Sequence, residues 1–133
     1  MRVVLDSSGW IELLAGSDRA GLFEPALQAE QLFVPAVVRY EVGRYTLTHK
    51  GEAGREMAVC VLAKFDQLHV DDAIADAAAE IACRHKLAMA DALVYASSLS
   101  VDADLWTQDR HFEDLPAVRF FPKSTWDQMG RRG

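Results

Sequence analysis

The sequence is poor in the residues that would staple a chain, cage a soft metal or anchor it in a membrane. Cys60 and Cys83 are its only cysteines, far apart and outside any Cys-x-x-Cys pattern. Each stands in an apolar helical context, so both are expected to be buried thiols. The four histidines, His49, His69, His85 and His111, show no His-x-x-x-His spacing and no pairing with cysteine. That excludes the usual zinc arrangements. No uninterrupted apolar run approaches the ~20 residues of a membrane span, since Asp76 and Glu80 cut the Ala-rich stretch after residue 73. The apolar run before Asp6 has only three residues, too few for the apolar region of a secretory leader. Repeats, low-complexity tracts and linkers are missing as well. The expectation is a soluble cytoplasmic protein, one domain over residues 1–133, long enough to bury roughly two-thirds of its unfolded surface without staples.

Half of the 133 residues are hydrophobic and the formal net charge is −6. An acidic balance weighs against a nucleic-acid partner only if the charge is evenly spread. It is not. Residues 37–64 carry Arg39, Arg44, Lys50, Arg55 and Lys64 against Glu41, Glu52 and Glu56. This locally basic arm reads either as a solvated helix surface or as a contact for RNA or a protein partner.

Strands and helices alternate along the chain. Val3-Val4-Leu5 predicts a short buried strand, and Asp6-Ser7-Ser8-Gly9 supplies polar residues that cap a helix running to Ala15. Leu32-Phe33-Val34 predicts a second strand, and Pro35 fits the first turn of a helix reaching about His49. Gly51 and Gly54 bracket a turn before a helix over roughly 55–66, and Leu68-His69-Val70 is a candidate third strand. Ile74, Ala77, Ala78, Ile81, Ala82 and His85 recur on one helical face. A further helix starts near Asp91 and runs to about Ser100. Leu105–Thr107 and Val118–Phe121 complete the strands, with a short helix between them and another near the C-terminus. This alternation implies a parallel sheet sandwiched between helices. Sites in such folds form outside the carboxyl ends of the strands, where Asp6 and Asp109 stand.

Four carboxylates draw attention. Asp6, Asp91 and Asp109 could each be no more than a helix cap. Glu41 lies at the edge of a stripe made by Val37, Val38 and Tyr45, and Asp91 sits inside Leu87–Val94. A carboxylate in such surroundings is costly without a cation or hydrogen-bond partner. One shared cation would serve all of these acids. Mg2+ takes oxygen ligands, positions phosphates and activates water. Spacing alone does not show that the four converge.

Four segments carry a resemblance to a known family: Val3-Val4-Leu5-Asp6-Ser7-Ser8, Val34-Pro35-Ala36-Val37-Val38-Arg39-Tyr40-Glu41, Met89-Ala90-Asp91-Ala92-Leu93-Val94-Tyr95-Ala96 and Leu105-Trp106-Thr107-Gln108-Asp109-Arg110-His111-Phe112. In this order they cover essentially the whole chain, which resembles PIN-domain proteins and, in length, the VapC-type toxins of toxin–antitoxin pairs. The resemblance implies a PIN-like α/β fold, a three-layer helix–sheet–helix sandwich with a mainly parallel central sheet. It implies that Asp6, Glu41, Asp91 and Asp109 hold one or two Mg2+ or Mn2+ ions, with Thr107 as a supporting hydroxyl. It further implies endonucleolytic RNA cleavage, a homodimer, and inhibition by a small VapB-like antitoxin. Ser7 stands where the family commonly has Thr, which keeps the hydroxyl, and the bulky Trp10 is expected beside the site. Two rival functions remain. A phosphatase using Asp6 as nucleophile would need a second Asp where Ser8 stands, and a non-catalytic binding module would not need all four acids.

Overall fold

The computed structural model describes residues 1–123. Five strands form one sheet in the order β3-β2-β1-β4-β5, with every neighbouring pair parallel. In chain order these are β1 (Arg2–Leu5), β2 (Gln31–Pro35), β3 (Asp66–Leu68), β4 (Asp104–Thr107) and β5 (Val118–Phe120). Val3, Val4 and Leu5 of the central strand are all fully buried. Successive side chains point to opposite faces of a sheet, so both faces are covered by helices, as parallel sheets require. The sandwich expected from the alternation is the architecture found.

The helices are α1 (Ser7–Ala15), α2 (Ala20–Phe23), α3 (Ala36–Leu62), α4 (Asp72–His85) and α5 (Met89–Ser100), with 3-10 turns at Glu24–Gln28 and Arg110–Phe112. Gly9 lets α1 lie tightly on β1, because a Cβ there would press on the Leu5 and Phe23 side chains. Pro35 ends β2 and occupies the N-cap of α3, one residue before the first turn expected for it. The two helices expected on either side of residues 51–54 follow one another in sequence with a sharp kink between them. Gly51 alone breaks them, at φ 71° and ψ −172°, outside the helical range; that positive φ favours glycine.

The third strand lies two residues earlier than Leu68–Val70. Gln67 donates its side-chain amide to the carbonyls of Leu62 and Phe65 at 2.8 and 2.9 Å, which closes the end of α3 and starts the strand at once. Val70 is exposed instead. The short α2 and the 3-10 turn after it were not foreseen, and the expected helix near the C-terminus lies outside the described residues.

Two expectations about single side chains fail. Cys60 and Cys83 are exposed, not buried. On α3 the buried neighbours are Ala58 and Leu62; Cys60, halfway between them, falls on the opposite face. Trp10, whose amide donates to the Asp6 carbonyl at 3.2 Å, does not stand open to the site. It is buried in the core against Phe65, ring centroids 5.5 Å apart. No described helix is long and apolar enough to cross a membrane.

Candidate active site

The strand order reverses direction at β1: β2 and β3 lie on one side of it, β4 and β5 on the other. At such a switch point the connections diverge and leave a crevice at the carboxyl ends of the strands. Asp6 follows β1 and Asp109 follows β4 by two residues, while Glu41 stands in the second turn of the helix leaving β2. Asp91 lies in the first turn of α5, the helix that leads into β4.

Asp6 is the most enclosed of the four, 6% exposed. Its Oδ1 accepts from the Ser7 amide at 2.8 Å and caps α1, and its Oδ2 accepts from the Thr107 hydroxyl at 2.7 Å. Thr107 is itself fully buried, and its oxygen accepts the Asp109 amide at 3.0 Å. A single hydroxyl thus ties the ends of β1 and β4 together. Burial raises the Asp6 carboxyl to about 6 against the pull of the Thr107 and Ser7 hydrogen bonds, and the charges of Asp91 and Asp109 add to the rise.

Glu41 is half-buried and is raised to about 7. Burial is the largest cause, followed by the charge of Asp6; the Ser7 hydroxyl, donating toward it, works the other way, and Asp91 and Asp109 add repulsion. Arg44, three residues on, is the basic partner that helical spacing would offer, yet no ion pair joins it to Glu41 among the described residues. Asp91 is also raised, first by burial and then by Asp109, with His111 opposing. It is not a helix cap, because Ala88 occupies that position. Asp109 does cap, accepting the His111 amide at 2.9 Å.

His111 was not anticipated as part of this cluster. Its Nδ1 lies 3.1 Å from Asp109 and 3.6 Å from Asp91. Asp91, Asp109 and His111 each offer a ligand atom within 4.8 Å of the other two. The sequence signal was available: a residue two after a strand-end Asp, in a tight 3-10 turn, points back at it.

Gln108 is locked between two charged side chains. It accepts from Arg19 Nε at 2.8 Å and donates to Glu12 at 3.2 Å. Arg19 also donates to the carbonyls of Phe121 and Pro122, both at 3.2 Å, which fixes the segment carrying Thr107 and Asp109 against α1 and the end of β5.

The donor set suits a hard divalent cation. It is dominated by carboxylate oxygens, and its most buried member has no cationic partner among the described residues. Burial, with repulsion from neighbouring acids added to it, raises three of the four, the imbalance that a bound cation inverts.

The sequence profile of the PIN domain matches residues 3–118. The chain belongs to the PIN-domain family. Solved structures with this PIN fold include a toxin–antitoxin complex from Klebsiella pneumoniae, at TM-score 0.78 and 20% identity, covering 91% of this chain and 99% of that one. They also include VapC20 of Mycobacterium tuberculosis, described as a sarcin–ricin loop cleaving toxin, at TM-score 0.72 and 20% identity over 86% and 95% of the two chains. FitAcB of Neisseria gonorrhoeae follows at 0.70 and 20%, over 90% and 97%. At these identities the likeness is one of fold. No curated protein sequence matches the chain.

Proposed function

We propose that this PIN-domain protein is a Mg2+- or Mn2+-dependent endoribonuclease and the toxin of a type II toxin–antitoxin pair, acting in the cytoplasm as a homodimer of one-domain subunits. The observation that carries the nuclease reading is the placing of Asp6, Glu41, Asp91 and Asp109 at the switch point of the sheet, close enough that the charges of Asp91 and Asp109 act on both Asp6 and Glu41. The toxin reading is supported by the similar structures, several of which are toxin–antitoxin complexes; the inhibitor would be a small VapB-like antitoxin.

In this reading Asp6, Glu41, Asp91 and Asp109 hold the cation. When bound, it supplies charge to offset that developing on phosphorus and lowers the pKa of a water. The protein's own part is orientation. Ser7 and Thr107 engage one oxygen each of Asp6, so its remaining lone pairs face the crevice in a fixed direction. Asp109 is held by the same Thr107 through its amide. Glu41 has fewer fixed partners, and its carboxyl, raised to about 7 by burial and the charge of Asp6, is one that a bound cation would bring back to the charged form. His111 is 74% exposed, so its ring is able to join the donors as a nitrogen ligand or to swing aside. Water adds to phosphorus, the bond to one ribose oxygen breaks, and a proton from the water ends on that oxygen.

The test is incubation of the pure protein with a structured RNA and with a phosphomonoester, each in Mg2+, Mn2+ and EDTA. Metal-dependent RNA fragmentation with the monoester untouched is the expected result. Phosphate release without RNA cleavage would indicate an Asp6-dependent phosphatase instead. Inactivity toward both in either metal would indicate a binding module.

A further inference from the structure

The backbone, more than its own packing, decides where the His111 ring stands. His111 is the middle residue of the 3-10 turn Arg110–Phe112 that follows β4. Asp109 caps this turn by accepting the His111 amide at 2.9 Å, and the next residue, Phe112, is fully buried in the core. A turn held on both sides thus presents an imidazole that is itself 74% exposed. Exposure does not send the ring away from the acids. Its Nδ1 lies 3.1 Å from Asp109 Oδ1 and 3.6 Å from Asp91 Oδ2.

Three donors from two elements meet here, Asp109 and His111 from the turn after β4 and Asp91 from the first turn of α5. Each offers an atom within 4.8 Å of the other two. Adjacent ligands of an octahedral ion with bonds of about 2.1 Å stand about 3 Å apart. The spacing of Nδ1 from Asp109 is already close to that. His49 is the other histidine near the acids, in a cleft that includes Glu41. It is engaged differently, with Nδ1 2.9 Å from the Tyr45 carbonyl oxygen and its ring stacked on Tyr45.

A ring nitrogen changes what a carboxylate site selects. Carboxylate and water oxygens suit Mg2+, whereas imidazole suits transition-metal ions, whose affinity for such sites climbs from Mn2+ through Co2+. Mg2+ keeps its waters and takes one or two carboxylates, so a nitrogen donor adds little to its binding. We infer that His111 is a metal ligand and sets the choice of ion: with Asp91 and Asp109 it forms a mixed nitrogen–oxygen set that prefers Mn2+ and Co2+ to Mg2+. The inference rests on the metal-site reading above and adds to it which ion the site holds.

The test uses the full chain without a histidine tag, and metal ions alone as probes. Mn2+ binding is read from loss of the free-ion EPR signal, and Co2+ and Mg2+ binding by calorimetry. Wild type should bind Mn2+ and Co2+ at least about tenfold more tightly than Mg2+. His111→Ala should lose about tenfold or more in affinity for Mn2+ and Co2+. For Mg2+ it should stay within about threefold of wild type. Pulsed EPR of the Mn2+-loaded wild type should show coupling to a directly bound nitrogen. That coupling should vanish in His111→Ala and persist in His49→Ala. A thermal melt of each variant in EDTA confirms that it is folded, and the wild-type coupling needs no variant at all. Equal affinity of wild type for Mg2+ and Mn2+, or Mn2+ bound to wild type without nitrogen coupling, would overturn the inference. So would unchanged Mn2+ affinity in His111→Ala. Tighter Mn2+ binding by His111→Ala would overturn it too, making the ring a counter-charge that the metal displaces. Each of these results leaves the four-carboxylate site standing. If wild type binds none of the three ions at millimolar concentration, the metal-site reading itself fails.

Discussion

The N-termini of α1 and α4 begin with the same device and differ in everything around it. Asp71 caps α4 by accepting the Ile74 amide at 2.8 Å. Asp6 caps α1 by accepting the Ser7 amide at the same distance. Asp71 stands in solvent, where a capping carboxylate is simply a good acceptor. Asp6 is buried, shares its second oxygen with Thr107, and lies within the charge of Asp91 and Asp109. In sequence each is an Asp directly before a helix. What differs is the place of each helix in the sheet, since α1 starts at the switch point and α4 does not.

The comparison is tested most severely by charge removal. Asp91→Asn should lower RNA cleavage at least a hundredfold, about 2.7 kcal/mol at the barrier, with folding retained by circular dichroism. Asp71→Asn should leave cleavage within about twofold of wild type. Equal losses in both variants, or near-normal cleavage by Asp91→Asn, would erase the distinction.

Thr107→Val removes the hydroxyl that joins β1 to β4 without changing shape. It leaves Asp6 Oδ2 and the Asp109 amide short of a partner, so denaturant unfolding should show a loss of about 2 kcal/mol. Thr107→Ser should recover most of it. At the other helix, Asp71→Ala should cost about 1 kcal/mol and leave cleavage unchanged.

The smallest expected effect is on pH dependence. Asp6 and Glu41 are raised from 3.8 and 4.5 to about 6 and about 7, so the folded protein binds more protons than the unfolded chain between these values. Their contribution is fully present below pH ~4 and is lost as pH rises through about 6 and then about 7. Metal-free melting temperatures should therefore drift down across that window. The drift should shrink at high salt, because Glu41 is half-exposed and its repulsions are screened. A carboxylate site with ordinary caps would show the opposite slope.

Much of this site could be read before any coordinates. Glu41 and Asp91 stood out because apolar neighbours make a lone carboxylate expensive, and the structure finds both partly buried and raised. The sandwich followed from the alternation of strands and helices. Three things did not come through. Convergence of acids up to 103 residues apart, Asp6 to Asp109, depends on strand order, which periodicity does not encode. His111 was passed over because histidines were judged by spacing from one another rather than from carboxylates. Cys60 and Cys83 were misplaced because apolar sequence neighbours were taken for spatial ones; on a helix the residue two away faces elsewhere.

The central claim is that these carboxylates meet and need a cation. Glu41→Gln tests it most directly, since burial and the charge of Asp6 raise Glu41 to about 7, and it caps no helix. Wild type and Glu41→Gln would be melted at pH 8 in EDTA and in millimolar Mn2+. The account predicts a higher melting temperature for the variant in EDTA, where one repelling charge is gone. It predicts a clear rise for wild type in Mn2+, because a cation bound only to the folded state stabilises it, and a smaller rise for the variant. No metal-dependent shift in wild type, together with no gain for Glu41→Gln in EDTA, would contradict the claim.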